Sequence, residues 1–323
     1  MMLSLNRNLV VAFAFALVTT LVPTLVIAAE EKKFSGEDLR GKNFTNADLR
    51  GADLSGANLV GVDLTGANLS GADLRQSYMR AVRARGANFT GANLGQSDLT
   101  RADLRGANFT RANLTLAVLD SARLDDADLK GALLAGAHLK KASLTNVSLE
   151  NAKLQDANLS QAFLGGANLK GADLGAAQLG FIGPAPARMR GVDLSNADLS
   201  GANLKGVDLS EANMDGALFR GAKLGGVNLQ WAHARGADFS GANLAWVLAY
   251  GVDFRQASFK GANLVSAQMV GADLKDADFR DASLTQTNFN QADFKGANFK
   301  NASIDDILFQ AARNVPGELQ KDP

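Results

Sequence analysis

Cysteine is absent from this chain of 323 residues, which excludes disulfides, thiolate metal sites and a cysteine nucleophile. Histidine is nearly absent: His138 and His233 are the only two, a poor basis for a metal centre or an acid/base pair. Proline is scarce at 5 residues while glycine reaches 33, a balance that suits regular turns and not disordered linkers. Neither charge sign prevails. With 33 basic and 33 acidic residues, no global field draws the chain to nucleic acid or to an acidic membrane. No cofactor and no metal is expected from this inventory.

The first 29 residues differ in kind from the rest. Arg7 is their only charge, Leu9 to Ile27 is almost wholly apolar, and Ala28-Ala29 precedes Glu30-Glu31-Lys32-Lys33. A basic start, an apolar stretch and a small-residue end make a secretory signal over 1–29. The competing reading is an uncleaved anchor, because nineteen residues is about the minimum that spans a bilayer. Pro23 and the abrupt small-residue end favour cleavage. Without cysteine there is no lipoprotein attachment site, and no twin-arginine pair is present. The chain is therefore expected to leave the cytosol by the general secretory route, for a periplasm, a thylakoid lumen or the exterior. No membrane contact is expected of the mature form unless the segment stays as an anchor.

From Phe34 to Phe309 every fifth residue belongs to one series, and 47 of its 56 members are Leu or Phe. Two positions earlier stands a small residue; from Ala47 to Ala302 it is Ala, Val, Ser or Thr everywhere except Ile182. Asp or Asn mostly precedes the large apolar residue, and Gly mostly follows it by two. Ala52-Asp53-Leu54-Ser55-Gly56 is a typical unit. A helical period of 3.6 would scatter the Leu series around the axis, and each interior Gly would cost about 1 kcal/mol against Ala. A plain strand would send alternate members of a five-residue series to opposite faces. A short extended segment plus a corner satisfies the pattern. The small and large apolar residues then point inward together, Gly frees the corner, and Asp or Asn can hydrogen-bond the bend.

Four such sides close a square coil of about twenty residues, and the phenylalanines test that number. Phe219, Phe239, Phe259, Phe279 and Phe299 are twenty apart, which places five rings on one side. Phe89 and Phe109, and later Phe289 and Phe309, repeat the pattern on another side, and Phe254 sits above the gap left by Ala234. A coil of fifteen would scatter these sets.

The units resemble the A(D/N)LXX motif of the pentapeptide-repeat family across about residues 37–310. The resemblance implies an all-β fold: a right-handed quadrilateral parallel β-helix of about twenty residues per coil. At ~4.8 Å between strands the rod would be roughly 65 Å long. Residues 30–36 form a lead-in and 311–323 a C-terminal tail. Glu30 to Lys42 at one end, and Asp305-Asp306 with Asn314 to Pro323 at the other, are the candidates for blunting the exposed edges. The thin cap leaves room for an end-to-end homodimer.

Three places depart from the unit. Residues 75–85 hold Arg75, Arg80, Arg83 and Arg85, a candidate basic patch for an anionic partner or simply a solvated surface. At 180–190, Pro184 occupies a slot meant for Leu and cannot donate to a ladder, so the chain is expected to kink or loop there. Residues 231–250 hold both tryptophans: Trp231, Trp246, Leu248 and Tyr250 all point outward, the best candidate for a partner contact. Trp231 and Tyr250, nineteen apart, should share a corner, with Trp246 one side away.

The function that fits is a non-enzymatic structural or protein-interaction scaffold whose partner is another protein. Some relatives mimic duplex DNA and protect gyrase, but mimicry needs an acidic surface, and this chain is neutral and carries an export signal. No nucleic acid is expected as a ligand. A carbohydrate-active β-helix enzyme is the third reading, disfavoured because no long loops form a cleft and because Asp interchanges freely with Asn. Asp253, Asp273 and Asp293 are expected to stack beside Arg255, Lys275 and Lys295 as a self-neutralising ladder. An ice-binding face would need Thr arrays, and Thr45 and Thr65 are followed by Arg85.

Overall fold

A computed structural model describes residues 32–180 and 187–320. The signal expected over 1–29 and part of the irregular segment therefore lie outside the described residues.

The unit folds as its chemistry demands. Leu54 and Ala57 point inward, and the Ala57 N–H donates back to the Leu54 carbonyl at 3.1 Å, closing a turn around Ser55 and Gly56. Gly56 takes φ +63°, the left-handed conformation that costs glycine nothing. The Asp53 Oδ1 accepts the Ser55 N–H at 3.1 Å and holds the bend. Asn does the same work: Asn68 Oδ1 accepts from Ser70 N–H at 3.1 Å. Only an acceptor oxygen is required, which explains why the two residues interchange.

Between units the pairing is parallel. Except at one place, each bridge joins a residue to the one twenty further on, as in Asp53↔Asp73 and Asn58↔Tyr78, and four ladders result. Ladder 1 starts at Lys33, ladder 2 at Asp38, ladder 3 at Asn43 and ladder 4 at Asp48. Leu54 N–H, for example, donates to the Asp73 carbonyl at 2.7 Å. The enclosed core is continuous, made mainly of the Ala and Leu/Phe series, with Ser77, Ser97 and Thr287 buried among them.

The register changes once. Phe163 pairs with Arg188 and Gln178 with Asn203, a step of twenty-five, and Arg188↔Asp208 restores twenty. The turn that normally spans three residues here joins Ala187 N–H to the Leu179 carbonyl at 2.8 Å. One whole unit is thus left out of the ladders where the sequence places Pro184. The omission corrects one expectation. Phe89 and Phe109 follow ladder 4, whereas Phe289 and Phe309 follow ladder 3, because everything beyond the omitted unit is rotated by one side.

The main phenylalanine series does stack. Successive centroids from Phe219 to Phe299 lie 4.8, 5.2, 4.8 and 4.7 Å apart with planes within 8° of parallel. Phe254 meets Phe239 and Phe259 edge-on. At the N-terminal end Lys32 is buried, its Nζ 3.3 Å from Asp48 Oδ1 and 3.2 Å from the Arg50 carbonyl. The C-terminal end is thinner. A single 3-10 turn, Gly317–Leu319, brings buried Leu319 over the core, while Ile304, Ile307 and Phe309 stay only half-buried.

Candidate functional site

The four outward residues of 231–250 come together on one side of the rod. Leu248 stands in ladder 3, Tyr250 follows it, and Trp246 occupies the corner where ladder 2 gives way to ladder 3. Trp231 occupies the opposite corner of the same side, one layer earlier, twenty residues before Gly251. The tryptophans are therefore the two edges of one side, with Leu248 and Tyr250 between them. Trp231 and Trp246 are 62% and 66% exposed, the most exposed large apolar residues described, whereas Leu248 and Tyr250 are half-buried.

Both tryptophans hold left-handed backbone, with φ 60° and 56°. That conformation is unfavourable for a bulky L-residue by about 1–2 kcal/mol. Each described corner from Gly36 to Ala311 has one residue there, and more than half are not glycine. Most of those are Asn, Asp, Gln, Ser or Ala; Leu116, Trp231 and Trp246 are the large apolar exceptions. Trp231 shows how such a corner is accommodated. Its ring lies against the Cα of Gly251, in space where a Cβ would collide with it. Leu116 covers Gly136 in the same way, and Asn151 covers Gly171.

The four arginines of 75–85 do not form a free basic patch. Arg75 pairs with Asp73 at 2.6 Å, Arg83 with Asp63 at 3.1 Å, Arg85 with Asp103 at 2.7 Å, and Arg80 with Asp98. Arg75 also stands at the ladder 1 corner, away from Arg83 in ladder 3. Each charge is answered by a carboxylate in the same layer or a neighbouring one. Hydrogen bonds from Arg75 hold the Asp73 carboxyl below the usual carboxylate range.

Ladder 4 behaves as a charge zipper toward the C-terminus. Arg255 bonds Asp253 at 2.5 Å and reaches Asp273 at 3.9 Å; Lys275 spans Asp273 at 2.9 Å and Asp293 at 3.4 Å; Arg313 closes on Asp293 at 3.4 Å. Hydrogen bonds from Arg255 lower the Asp253 carboxyl, and its carboxylate raises the Arg255 guanidinium in turn. His138 stands in ladder 2 and His233 in ladder 4. Among the described residues no group of three or more His, Asp or Glu could hold a metal ion. A shallow groove along the ladder 1–2 corner is lined by Ser55, Gln76, Gln96, Thr115 and Leu116, without a carboxylate pair. No helix among the described residues is long and apolar enough to cross a membrane.

The pentapeptide-repeat model matches overlapping stretches spanning residues 33–180 and 187–248, and a pentapeptide repeat region matches residues 237–309. The first model breaks where the ladders omit a unit. HetL, a pentapeptide repeat protein involved in heterocyst differentiation regulation in the cyanobacterium Nostoc sp. strain PCC 7120, is 29% identical with a TM-score of 0.37; the match covers 82% of this chain and 89% of that one. A pentapeptide repeat protein from the Arabidopsis thaliana thylakoid lumen is 34% identical with a TM-score of 0.20, covering 32% of this chain and 69% of that one. QnrB1, a plasmid-mediated fluoroquinolone resistance protein, is 17% identical with a TM-score of 0.33, covering 56% and 88%. With every score below 0.5, these likenesses carry nothing about function. No protein of curated function matches. The two family models together span most of the described rod, and the chain belongs to the pentapeptide-repeat family.

Proposed function

We propose that this protein is an exported, non-enzymatic scaffold that holds another protein along the length of a right-handed, four-sided coil of about twenty residues per turn. Pairing of residues twenty apart supports the four sides. Arg7, the apolar stretch 9–27 and Ala28-Ala29 support export by the general secretory route, to a periplasm, a thylakoid lumen or the exterior.

One observation carries the non-enzymatic reading. The abundant Asp and Asn are already engaged in holding corners, as Asp53 holds Ser55 and Asn263 holds Val265. A carboxylate bound to its own backbone and to a neighbouring Arg is a poor general base. What remains to make contact is the set of outward side chains on four long sides. Standard protein interfaces need about 800 Å² per partner, which a rod of fourteen layers provides along its length. Mimicry of duplex DNA has no support in a surface whose acids are answered by Arg and Lys.

Fractionation with N-terminal sequencing tests the export half. The expected product begins near Glu30 in the translocated compartment; a cytosolic chain retaining residues 1–29 contradicts it. Turnover of a polysaccharide by the purified protein would overturn the non-enzymatic half. Crosslinking in the correct compartment is expected to join the rod to a protein partner.

A further inference from the structure

Ladder 3 changes character in the C-terminal half of the rod. The segments that make this side, 225–231, 245–251, 265–271 and 285–291, contain no charged residue in four successive layers. Asp208 and Glu211 bound the stretch on one end, Asp305 and Asp306 on the other. The remaining sides of the same layers are charged: Lys223 and Asp281 with ladder 2, Asp238, Lys260, Asp278 and Arg280 with ladder 1, and the zipper of ladder 4.

The uncharged side has a specific composition. Trp246 and Trp231 stand at its two edges, Leu248 and Tyr250 lie between, and amides occupy most of the rest: Asn228, Gln230, Gln268, Asn288 and Asn290. Some of those amides are aligned by one another, as Asn288 Nδ2 donates to Gln268 Oε1 at 3.1 Å. The side is flat because each unit contributes an extended segment between corners. Its extent is roughly 15 Å by 10 Å, from the three strand spacings between four layers and one short segment.

We infer that this side is a binding surface for a neutral polysaccharide. Three observations select that occupant. The area is well below the roughly 800 Å² per partner that a stable protein interface needs, and extending the contact sideways would bring in the charged ladders. Asn228, Gln268 and Asn288 each spend one N–H and one lone pair within the rod, and the second N–H and lone pair that a carboxamide retains match sugar hydroxyls, which also donate and accept. Exposed indole rings offer flat apolar faces for the C–H side of a pyranose, and no charge is present to recognise an acidic sugar. An extended β-linked glycan also repeats at close to the strand spacing, so successive sugars can meet successive layers.

The backbone points the same way. At left-handed corners glycine is the unstrained choice, yet both tryptophans of the chain occur there, and both on this side. Left-handed corners belong to the scaffold as a whole; what sets this side apart is that its corners carry both indoles. Trp231 is braced by Gly251, which leaves one ring face turned to solvent.

The inference rests on the scaffold reading only in that the rod acts by binding, and the experiment separates the two. Because Trp231 and Trp246 are the only tryptophans, intrinsic fluorescence reports this side alone. Full-length mature protein is titrated with barley mixed-linkage β-glucan, hydroxyethylcellulose and chitin oligosaccharides, with polygalacturonate as the acidic control. In parallel it is run in gels containing each soluble polymer. The expected result is a blue-shifted emission and retardation by at least one neutral glycan but not by polygalacturonate. Trp246→Ala and Trp231→Ala should each weaken the retardation by roughly tenfold or more, with the far-UV spectrum and melting profile of the rod retained. Absence of shift and retardation with all the neutral glycans overturns the inference, as does equal retardation of both variants. Crosslinking of a protein to this side, lost in the same variants and unaffected by glycan, would assign the surface to a protein instead. None of these outcomes touches export or the absence of turnover, which stand or fall on their own tests.

Discussion

Ladders 3 and 4 are adjacent sides of the same layers, built from the same unit on the same core, yet their outward chemistry is opposite. From 233 to 313 ladder 4 is zipped by Arg255, Lys275 and Arg313 across Asp253, Asp273 and Asp293. Ladder 3 over the same layers shows Leu248, Gln268 and Asn288 with a tryptophan at each edge. The difference teaches that this backbone does not depend on what its outward positions carry. The unit needs an acceptor oxygen or a tolerated substitute, an inward pair and a left-handed corner. Everything else is free to diverge, so a function written on one side need not disturb the next.

The largest expected effect is on what the two sides share. Phe259 sits in the middle of the ring stack, between Phe239 and Phe279 and edge-on to Phe254. Phe259→Ala should cost about 3–5 kcal/mol, read as a drop in melting temperature and in the unfolding midpoint. Both sides should lose structure together, because they have one core. Retained stability would mean that the stack is loosely packed.

A paired glycine substitution sharpens the contrast between corners. Gly251 and Gly236 have nearly the same φ, +63° and +65°, but a Cβ at Gly251 meets the Trp231 ring while one at Gly236 meets nothing within 4 Å. Each change to Ala should cost about 1–2 kcal/mol for the left-handed backbone alone. Gly251→Ala should cost more than Gly236→Ala and should shift the Trp231 emission toward the red. Equal costs with unchanged fluorescence would contradict the bracing of Trp231.

Acid should separate the two sides next. Hydrogen bonds from Arg40 depress the Asp38 carboxyl to about 2, and those from Arg255 and Arg280 depress Asp253 and Asp278. A depressed carboxylate adds stability that is complete above its unfolded value of about 4 and disappears as pH falls through the folded value. The melting temperature should therefore hold from neutral pH to about 5 and decline steadily below about 4. Emission from ladder 3, which has no Asp, Glu or His in its four uncharged layers, should move only when the whole rod unfolds. An emission change that precedes unfolding would show that the two sides are electrostatically coupled.

The smallest effect tests the strain itself. Trp246→Asn replaces a bulky left-handed residue by one that tolerates the conformation, and should leave stability unchanged or raise it by up to about 1 kcal/mol. The same change should weaken glycan binding. A variant that loses stability would show that the indole is part of the packing.

Much of the architecture is legible in the sequence, because a five-residue period admits so few backbones. The Leu54–Ala57 turn, the Asp53 and Asn68 acceptors and the Phe219–Phe299 stack all follow from side-chain spacing. Other features were not legible, for definite reasons. Omitting a whole unit near Pro184 leaves the five-residue frame intact, so the sequence shows an irregularity without showing that later sides are rotated. Left-handed corners at Gln96 or Trp246 carry no glycine to announce them. Arg80 and Asp98 are eighteen residues apart and meet only because layers stack, so a run of arginines looked like a patch when each was paired. The tryptophan side was foreseen as a cluster. Its neutrality was not, because the four uncharged segments are interleaved in sequence with charged ones.

The most direct test of the central claim, that function resides on one uncharged side of an otherwise self-neutralised rod, is salt dependence. Retardation by the neutral β-glucan is measured for the mature protein at low and high ionic strength. Binding through indoles and amides predicts a mobility shift that does not weaken as salt rises. A shift that collapses with salt, or that persists in a variant lacking both tryptophans, would place the contact on the charged ladders and contradict the account.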